Sequence, residues 1–464
     1  MTHLETDYLI VGAGAVGMAF ADTILHETDA DIILVDKHHK CGGHWNVAYP
    51  FVTLHQPSQF YGVSSKELSK GRVDEIGLNK GLADLATGAD IMAYFDEVMN
   101  HTFLPSGRVR FFPMCDYVGG GEFKHRLTGE TFNVDAKKTV DATWLKTSVP
   151  AEHTPNFTIE DGVQFMPLND LPKIAAPPAG FVVIGGGKTG IDACLWLLEH
   201  GVAPKDIQWV KSRDAWLLDR QNTQVMEQHF GSTMGSQAGQ MESIANATSI
   251  TDMFDRLEDC GYFVRVDKDV RPTMFHGATI SQLELERLQT LIPTIVRKGR
   301  VSHVGLNEII LDKGTIPTSP NHIHIDCSAS AITNAEIKPI FEGDLITPQT
   351  VRSYQPVFSA AFIAHIEGSE RTEAQKNQIC GVVPLPNADI DYIRFTAAFM
   401  MNQYQWGQDP EIRAWLKQNR LDGFSEMVSG IAKDDLEKQA IMKRLRDHMM
   451  PAMANIQKFM AQIG

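Results

Sequence analysis

YLIVGAGAVG, residues 8–17, decides the fold of this chain: an apolar run leads directly into three glycines. A mostly apolar segment at 18–25 and a short run at 31–35 follow, so the pattern predicts a strand, a tight turn, a helix and a second strand. In such a βαβ unit Gly12 permits the turn, Gly14 lets backbone N–H groups approach a pyrophosphate, and Gly17 allows the helix to pack closely on the strand. The stretch therefore predicts a dinucleotide-binding unit.

A carboxylate stands where such a unit holds the ribose of an adenosine. Asp36 lies about 20 residues beyond Gly17, at the end of the second strand, where it can accept both ribose hydroxyl protons. The backbone of Ala15 and Val16, at the start of the helix, is predicted to face the pyrophosphate, because a helix N-terminus attracts anions. Lys37, next to the acid, completes the predicted site.

The same pattern of strand, glycine turn, helix and strand returns at residues 181–210. The predicted contacts with a second dinucleotide are the turn residues Gly185, Gly187, Lys188, Thr189 and Gly190. A phosphate loop for ATP would need a glycine at position 182, where the chain has Val182, so an ATPase is excluded. The chain is therefore expected to contain two dinucleotide-binding domains, which also suits its 464 residues.

The two units differ at the end of their second strand. Lys211 stands where the first unit has Asp36, and Ser212 and Arg213 follow it. A carboxylate there would repel a 2′-phosphate, whereas lysine, arginine and serine can donate hydrogen bonds to it. The second nucleotide is therefore predicted to be NADPH, and a solvated basic strand end is the alternative.

Composition and charge narrow the class of protein. A formal net charge of −15 argues against a nucleic-acid partner, since phosphate binding needs a basic surface. Six cysteines without a CxxC pair indicate reduced thiols, no metal site, and none of the short-spaced redox pairs that disulfide reductases need. The start of the chain lacks an export signal and no apolar run reaches about 18 residues, so we expect a cytoplasmic protein without a membrane span.

The segment Gly42-Gly43-His44-Trp45 resembles the GGxW segment of the class B flavoprotein monooxygenases, the group of the flavin-containing and Baeyer-Villiger enzymes. The resemblance implies FAD at the first glycine turn and NADPH at the second. It also implies that Gly43, His44 and Trp45 belong to the FAD site, although His44 could merely cap a turn. Two later stretches resemble FAD-binding segments, residues 138–144 with Thr143 and residues 325–329, which look like the final FAD strand, with Asp326.

The predicted fold is α/β, with two Rossmann-like dinucleotide-binding domains, the NADPH domain inserted in the FAD domain, and a helical C-terminal region. The expected divisions are the first part of the FAD domain at 1–170, the NADPH domain with an insertion at 171–299, the second part of the FAD domain at 300–384, and the helical region at 385–464. Residues 221–247 are expected to form a loop with broken helices, and residues 300–326 a series of strands. The tail is expected to pack as core or lid, and a membrane-surface helix is the alternative.

The expected chemistry comes from the resemblance. It implies that NADPH reduces the flavin, that O₂ adds at flavin C4a, and that the oxygen adduct oxidises a small organic substrate. His55 and Gln56 come after the GGHW segment where related enzymes present polar groups to the flavin, so they are the candidate catalytic residues; a structural histidine is the alternative. Arg394, near Asn402 and Trp406, is either a substrate contact or part of a surface ion pair.

One motif of that family is missing. The fingerprint FxGxxxHxxxW/Y would stand at residues 161–171, where the sequence DGVQFMPLNDL contains no histidine. Since the fingerprint accompanies monooxygenation in the family, an FAD-dependent NADPH oxidase or dehydrogenase that inserts no oxygen is the alternative. A non-catalytic protein that senses nucleotides, with FAD bound for structure only, is the third hypothesis.

Overall fold

The structure, a computed structural model, describes residues 2–330 and 336–463. The strands are β1 Thr2–Val11, β2 Ile32–Val35, β3 Gly62–Val63, β4 Lys66–Glu67, β5 Val109–Phe112, β6 Cys115–Gly119, β7 Glu122–His125, β8 Thr131–Asp141, β9 Thr158–Ile159, β10 Phe165–Pro167, β11 Gly180–Ile184, β12 Ile207–Val210, β13 Ala215–Asp219, β14 Phe263–Val264, β15 Met274–Ile280, β16 Ile295–Val296, β17 Val301–Val304, β18 Glu308–Leu311, β19 Gly314–Pro317, β20 His322–Asp326, β21 Phe341–Glu342 and β22 Leu345–Ile346. The helices are α1 Ala15–Glu27, α2 Gly88–Val98, α3 Lys188–Glu199, α4 Phe230–Asn246, α5 Ile250–Asp259, α6 Gln282–Gln289, α7 Pro356–Glu367, α8 Glu373–Ile379, α9 Asp391–Gln408, α10 Pro410–Gln418, α11 Ser425–Ser429 and α12 Leu436–Ile463.

The first sheet is built around the predicted βαβ unit. Its strands run in the order β21-β22-β8-β1-β2-β5, and β22, β8, β1, β2 and β5 are parallel to one another. All four residues of β2 are buried, as expected for a parallel strand. Helix α1 packs against α7, which is buried along most of its length. The glycine turn between β1 and α1 therefore lies at the carboxyl edge of a parallel sheet, where open α/β sheets bind ligands.

The second sheet has the order β10-β20-β11-β12-β16, and all of its strands are parallel. The chain leaves the first sheet after β8 and returns to it only at β21 and β22. The second Rossmann-like unit is thus inserted within the first, which confirms the predicted α/β architecture.

The expectation for Asp326 as the end of the final FAD strand is wrong. The strand that it ends, β20, lies in the second sheet between β10 and β11, so it belongs to the same unit as the second glycine turn. The chain returns to the first sheet at β22, which has only two residues and pairs with Thr139 and Val140 of β8. A two-residue strand is too short to show an apolar pattern in the sequence. Strand β20 shows a clear apolar pattern and was therefore mistaken for the final FAD strand.

The predicted loop at 221–247 is also wrong in its second half. Residues 230–246 form the regular helix α4, which packs against α5 and α12. Its glycines and serines made the stretch look irregular, but large side chains of this helix, Phe230, Met234 and Met241, enter a shared hydrophobic cluster. Tertiary packing therefore outweighs the low helix propensity of the small residues.

The last part of the C-terminal helical region forms the long helix α12, which continues through Pro451 and packs against α4 and α9. This confirms core packing as the role of the tail. On this helix Leu445 and Ile456 are buried, whereas Leu436 and Met449 are exposed.

Candidate functional site

The first glycine turn has no room for side chains. Gly12 has a φ of +98°, in the left-handed region that glycine favours. A Cβ on Gly17 would lie 1.9 Å from the carbonyl oxygen of Gly12, so α1 can approach β1 only because residue 17 is glycine. Both roles that the sequence predicts for these two glycines are therefore visible in the geometry.

Asp36 lies beside the first turn. One carboxylate oxygen accepts a hydrogen bond from the N–H of Ala13 at 2.6 Å, and the other accepts from the N–H of His38 at 2.7 Å. The carboxylate is thus fixed against the turn, with lone pairs left to accept further hydrogen bonds. Lys37 points away into a half-exposed ion pair with Glu152, at 3.6 Å.

The GGHW segment packs backbone to backbone on the first turn. Gly43 has a φ of +57°, and a Cβ on it would lie 2.9 Å from the Cα of Gly14, so position 43 needs glycine. Burial lowers the pKa of His44 to about 4, so its imidazole is neutral at pH 7. Trp45 is buried and donates from its indole N–H to the hydroxyl of Tyr61 at 2.7 Å, so its side chain supports the segment from the core.

Thr143 closes the turn from the end of β8. Its methyl group would lie 2.8 Å from a Cβ on Gly12, and its N–H and hydroxyl donate to Asp141 at 3.0 and 2.6 Å. The structure therefore brings together the first glycine turn, Asp36, the GGHW segment and Thr143, as the sequence predicts.

The helices that follow the two glycine turns lack two N-terminal features that five other helices of the chain share. Side chains accept hydrogen bonds from the first turn of α2, α5, α6, α8 and α10, and the residues that do so are Thr87, Ser249, Ser281, Thr372 and Asp409. Each of these helices also has an acidic residue in its first turn. Helices α1 and α3 begin after Gly14 and Gly187, with no side-chain cap and no acidic residue. Helices α4 and α7 also lack both features, but α4 continues directly from a 3₁₀ turn and α7 begins at a proline, which has no N–H. The N-termini of α1 and α3 are therefore suited to an anion that supplies the missing acceptors.

The second turn repeats the close packing of the first. A Cβ on Gly190 would lie 2.2 Å from the carbonyl oxygen of Gly185, and one on Gly185 would lie 2.0 Å from that of Cys327. Asp326, just before Cys327, is 2% exposed and accepts from the N–H and hydroxyl of Ser328. This carboxylate therefore stabilises the loop beside the second turn.

Lys211 does not present a free ammonium group at this turn. It is 3% exposed and forms an ion pair with Asp214 at 2.6 Å, and its Nζ lies 4.4 Å from the ring centroid of Trp209. Burial lowers its pKa, although Asp214 opposes the shift. The predicted contact of Lys211 with a 2′-phosphate is therefore wrong, because the ammonium is already paired in the interior.

Ser212 and Arg213 remain at the strand end as predicted. Ser212 is exposed, and the Arg213 guanidinium donates to the side chain of Asn387 at 2.7 Å. Burial and the nearby charge of Arg300 lower the pKa of Arg213. Asp389 and Asp391 oppose this shift, so charges of both signs act on Arg213 at this end of the second sheet.

The two units meet at a polar junction. The hydroxyl of Tyr49, just after the GGHW segment, donates to Asp192 of α3 at 2.6 Å. Asp192 also forms an ion pair with Lys188 in the first turn of α3. Burial, and next the charge of Asp192, raise the pKa of Tyr49 well above its ordinary value, so the phenol stays protonated. The junction thus links the segment beside the first turn directly to the helix of the second.

His55 lies at the same junction. Burial first, and then the positive charges of Lys188 and Arg220, hold the pKa of its imidazole well below the ordinary value. Its main-chain carbonyl accepts from Arg220 at 2.9 Å and from the hydroxyl of Thr279. Gln56, the other candidate, is half-buried next to it. Both therefore lie where the two units face each other.

A groove of about 210 Å³ opens beside the junction. Phe51 and Trp196 line it and stack with their ring centroids 5.0 Å apart. Asp192 and Glu284 also line it, so the groove joins an apolar wall to the polar groups of the junction.

Arg394, Asn402 and Trp406 have structural roles. Arg394 lies 3.8 Å from Asp391 and donates to the carbonyl of Ile463, so the ion-pair interpretation is confirmed. Asn402 donates to two main-chain carbonyls at 2.8 and 2.6 Å, and Trp406 is buried in the main core cluster.

Two arginines that the sequence did not reveal fix the loop of His55. Arg220 is fully buried, and its partner His55 lies 165 residues away. Arg420 donates to the carbonyls of Gln59, Tyr61 and Val63, although it lies in the C-terminal region. No local pattern marks either arginine, because all of these contacts are distant in the sequence.

The described residues offer neither a metal-binding cluster nor a membrane-spanning helix. Residues 2–330 and 336–463 contain no cluster of three or more His, Cys, Asp or Glu that could hold a metal ion. Among the helices described, none is both long enough and apolar enough to cross a membrane. All six cysteines are free thiols, and burial raises the pKa of Cys41, beside the GGHW segment, to about 12.

Comparisons with solved structures find distant likenesses. A flavin monooxygenase from Stenotrophomonas maltophilia is 11% identical, with a TM-score of 0.44 over 82% of this chain and 100% of that chain. Cyclohexanone monooxygenase from Rhodococcus sp. Phi1, bound to NADP⁺, is 13% identical, with a TM-score of 0.46 over 82% of this chain and 86% of that chain. The bacillithiol disulfide reductase from Staphylococcus aureus is 12% identical, with a TM-score of 0.45 over 80% of this chain and 100% of that chain.

Comparisons of sequence find more similar proteins than the comparisons of structure do. The family model of an NAD(P)-binding Rossmann-like domain matches residues 10–49, which hold the first glycine turn and the GGHW segment. The protein Rv2000 of Mycobacterium tuberculosis (strain ATCC 25618 / H37Rv) is 40% identical over 447 residues, which cover 96% of this chain and 83% of the relative. Mb2023 of Mycobacterium bovis matches with the same identity and coverage. The chain belongs to the protein family of these mycobacterial relatives.

Proposed function

We propose that the protein is an FAD- and NADPH-dependent oxidoreductase that acts as a monooxygenase on a small organic substrate. One observation carries the proposal. Two glycine-turn helices begin without caps at the edges of two parallel sheets, and the Tyr49–Asp192 hydrogen bond joins their surroundings. Two dinucleotides bound at these turns would bring their reactive rings toward a common junction. Six free thiols suit a cytoplasmic site of action.

The residues around the first turn fit FAD. The uncapped N–H groups of Ala15, Val16 and Gly17 would bind the pyrophosphate, and Asp36 would accept from the adenosine ribose. Gly43 leaves backbone exposed beside Gly14, so a phosphate can approach both segments closely.

The residues around the second turn fit NADPH. The uncapped N–H groups of Lys188, Thr189 and Gly190 would bind its pyrophosphate. Arg213 and Arg300 would bind the 2′-phosphate, because an anion between two neighbouring guanidinium groups relieves their repulsion.

FAD would supply the redox chemistry, in which hydride is taken from NADPH and electrons are passed to O₂. The protein positions the two nucleotides and supplies polar groups at the junction. A neutral His55 imidazole can accept or donate one hydrogen bond, and the buried setting keeps it from being protonated at pH 7. The groove beside Phe51 and Trp196 would admit the substrate.

Monooxygenation rests on the resemblance of the GGHW segment to that of the class B enzymes. The missing histidine fingerprint at 161–171 favours the second candidate function, an NADPH oxidase or dehydrogenase that inserts no oxygen. Both candidates share the step from NADPH to flavin and differ only in whether an oxygen atom then enters the substrate.

Anaerobic titration with NADPH tests the shared step. Protein loaded with FAD is expected to lose its flavin absorbance when NADPH is added and to regain it on admission of air. A flavin that stays oxidised would remove the oxidoreductase proposal and favour the nucleotide sensor. Product formed under labelled O₂ then separates the two enzymes, because only a monooxygenase incorporates the label.

Replacing the two cations at the strand end tests the 2′-phosphate site. Arg213→Ala with Arg300→Ala is expected to lower the preference for NADPH over NADH by about 100-fold, since each charge-assisted hydrogen bond is worth about 1.5 kcal/mol. The ratio of kcat/KM for the two nucleotides measures the effect. Lys298→Ala, which removes a nearby exposed cation, is the control and should leave the ratio as it is. An unchanged ratio in the double variant would refute this site.

A further inference from the structure

Arg220 links the two nucleotide-binding units through buried hydrogen bonds and an ion pair. Its guanidinium is fully buried and forms an ion pair with Glu284 at 2.8 Å. It also donates to the carbonyl of His55 at 2.9 Å and to the side chain of Asn79 at 3.0 Å. Arg220 follows β13 in the inserted unit, whereas His55 belongs to the first unit, so these contacts join the two units across the junction.

Neighbouring hydrogen bonds also join the two units across the junction. Gln224 accepts from the N–H of Ala83 at 2.9 Å, and Ser281 donates to the carbonyl of Leu78 at 2.5 Å. Thr279 donates to the same His55 carbonyl that Arg220 holds. The inserted unit thus forms hydrogen bonds to the main chain of the first unit on both sides of Asn79 and at His55.

The charges around the His55 side chain come from the same unit. Lys188, at the start of α3, and Arg220 are the two charged groups that act on the imidazole, and both are cations. Their acidic partners are Asp192 and Glu284, respectively. The guanidinium therefore acts on His55 twice, by a hydrogen bond to its main chain and by its charge.

We propose that Arg220 is a positioning residue for His55: it fixes the main chain of that residue, and with it the imidazole, at the junction. The donors of the buried guanidinium are divided among His55, Asn79, Thr279 and Glu284, so it holds the His55 main chain in a fixed relation to both units. A buried ion pair adds little net stability compared with apolar residues of the same size, so its value lies in the geometry that it imposes. The link to catalysis rests on the proposed function, but the positioning of His55 does not.

Two variants separate the hydrogen bond from the charge. Arg220→Lys keeps the charge but places its three N–H donors on one nitrogen, so it cannot reach the four acceptors that the guanidinium holds. Arg220→Met with Glu284→Leu removes both charges and preserves volume, so that no buried charge is left unpaired and the chain can fold. Arg265→Lys is the matched control, since Arg265 is a partly buried arginine of the same unit that pairs with Glu258 instead.

The first measurement is the titration of His55 by NMR of histidine-labelled protein, assigned with His55→Gln. In the double variant the midpoint is expected to rise, because Arg220 is one of the two cations that, after burial, lower the pKa of His55. In Arg220→Lys and Arg265→Lys it should stay low. A double variant with an unchanged midpoint would overturn the role of the charge, and this measurement needs no flavin.

The second measurement is the pH profile of anaerobic flavin reduction by saturating NADPH. Arg220→Lys is expected to lower the maximal rate about tenfold without moving the profile, since a misplaced group slows a reaction without changing its ionisation. The double variant should also shift the acid limb upward, in step with the NMR midpoint. A full rate in Arg220→Lys would overturn the positioning role. If no form of the protein reduces flavin, the proposed function fails, while the titration still decides whether Arg220 controls His55.

Discussion

Gly17→Ala is expected to yield protein that binds no flavin and is less stable by about 3 kcal/mol, the upper range for an overpacked site. The added Cβ would lie 1.9 Å from the carbonyl oxygen of Gly12, so α1 must move away from β1. Movement of α1 displaces the N–H groups that would bind the pyrophosphate. The flavin-to-protein absorbance ratio and a urea unfolding curve measure the two effects.

Two other alanine variants make this result interpretable. Gly235→Ala in α4 introduces a Cβ that meets nothing within 4 Å, so it should raise stability by about 0.5–1 kcal/mol and leave flavin binding intact. Gly190→Ala repeats the clash at the second turn, at 2.2 Å from the Gly185 carbonyl oxygen. It should keep flavin and lose reduction by NADPH. Normal flavin content in Gly17→Ala would contradict the assignment of the first turn.

Asp214→Ala is expected to destabilise the protein by about 3–5 kcal/mol, the usual cost of breaking a buried ion pair from one side. Asp214 is 8% exposed and accepts from Lys211 at 2.6 Å and from Arg297 at 2.8 Å. Its removal leaves the ammonium of Lys211 buried without its partner. Urea unfolding at pH 7 measures the loss.

The same carboxylate gives the prediction a dependence on pH. Burial alone would raise the pKa of Asp214, but Arg297 and Lys211 outweigh it and hold the pKa below its ordinary value. Its stabilising contribution is therefore complete above a pH of about 4 and is lost as the pH falls further. The stabilities of wild type and Asp214→Ala should converge in that acid range. Asp447→Ala, which breaks an exposed pair with Lys443, should change nothing measurable, and a similar effect in both variants would refute the explanation.

The two Rossmann-like units could be predicted because their signals are local. Turn, helix and strand of each unit lie within about 30 residues, and Gly12, Gly17 and Gly190 are needed for contacts between neighbouring segments. Asp36 could be identified for the same reason, since its distance from the turn depends only on the length of one helix and one strand. The insertion of one unit in the other was implied by the resemblance to the class B enzymes, and the sheet topology confirms it.

Contacts between remote segments had no such signal. Lys211 pairs with Asp214 only three residues away, but the burial of this pair depends on the fold, which also brings Arg297 to Asp214 across 83 residues. Asp326 ends a convincing strand that joins the second sheet, because the choice between two parallel sheets depends on packing. Arg220 reaches His55 across 165 residues. Short-range spacing thus specifies the nucleotide-binding turns, whereas the pairing of charges and the assembly of the junction depend on which surfaces become buried together.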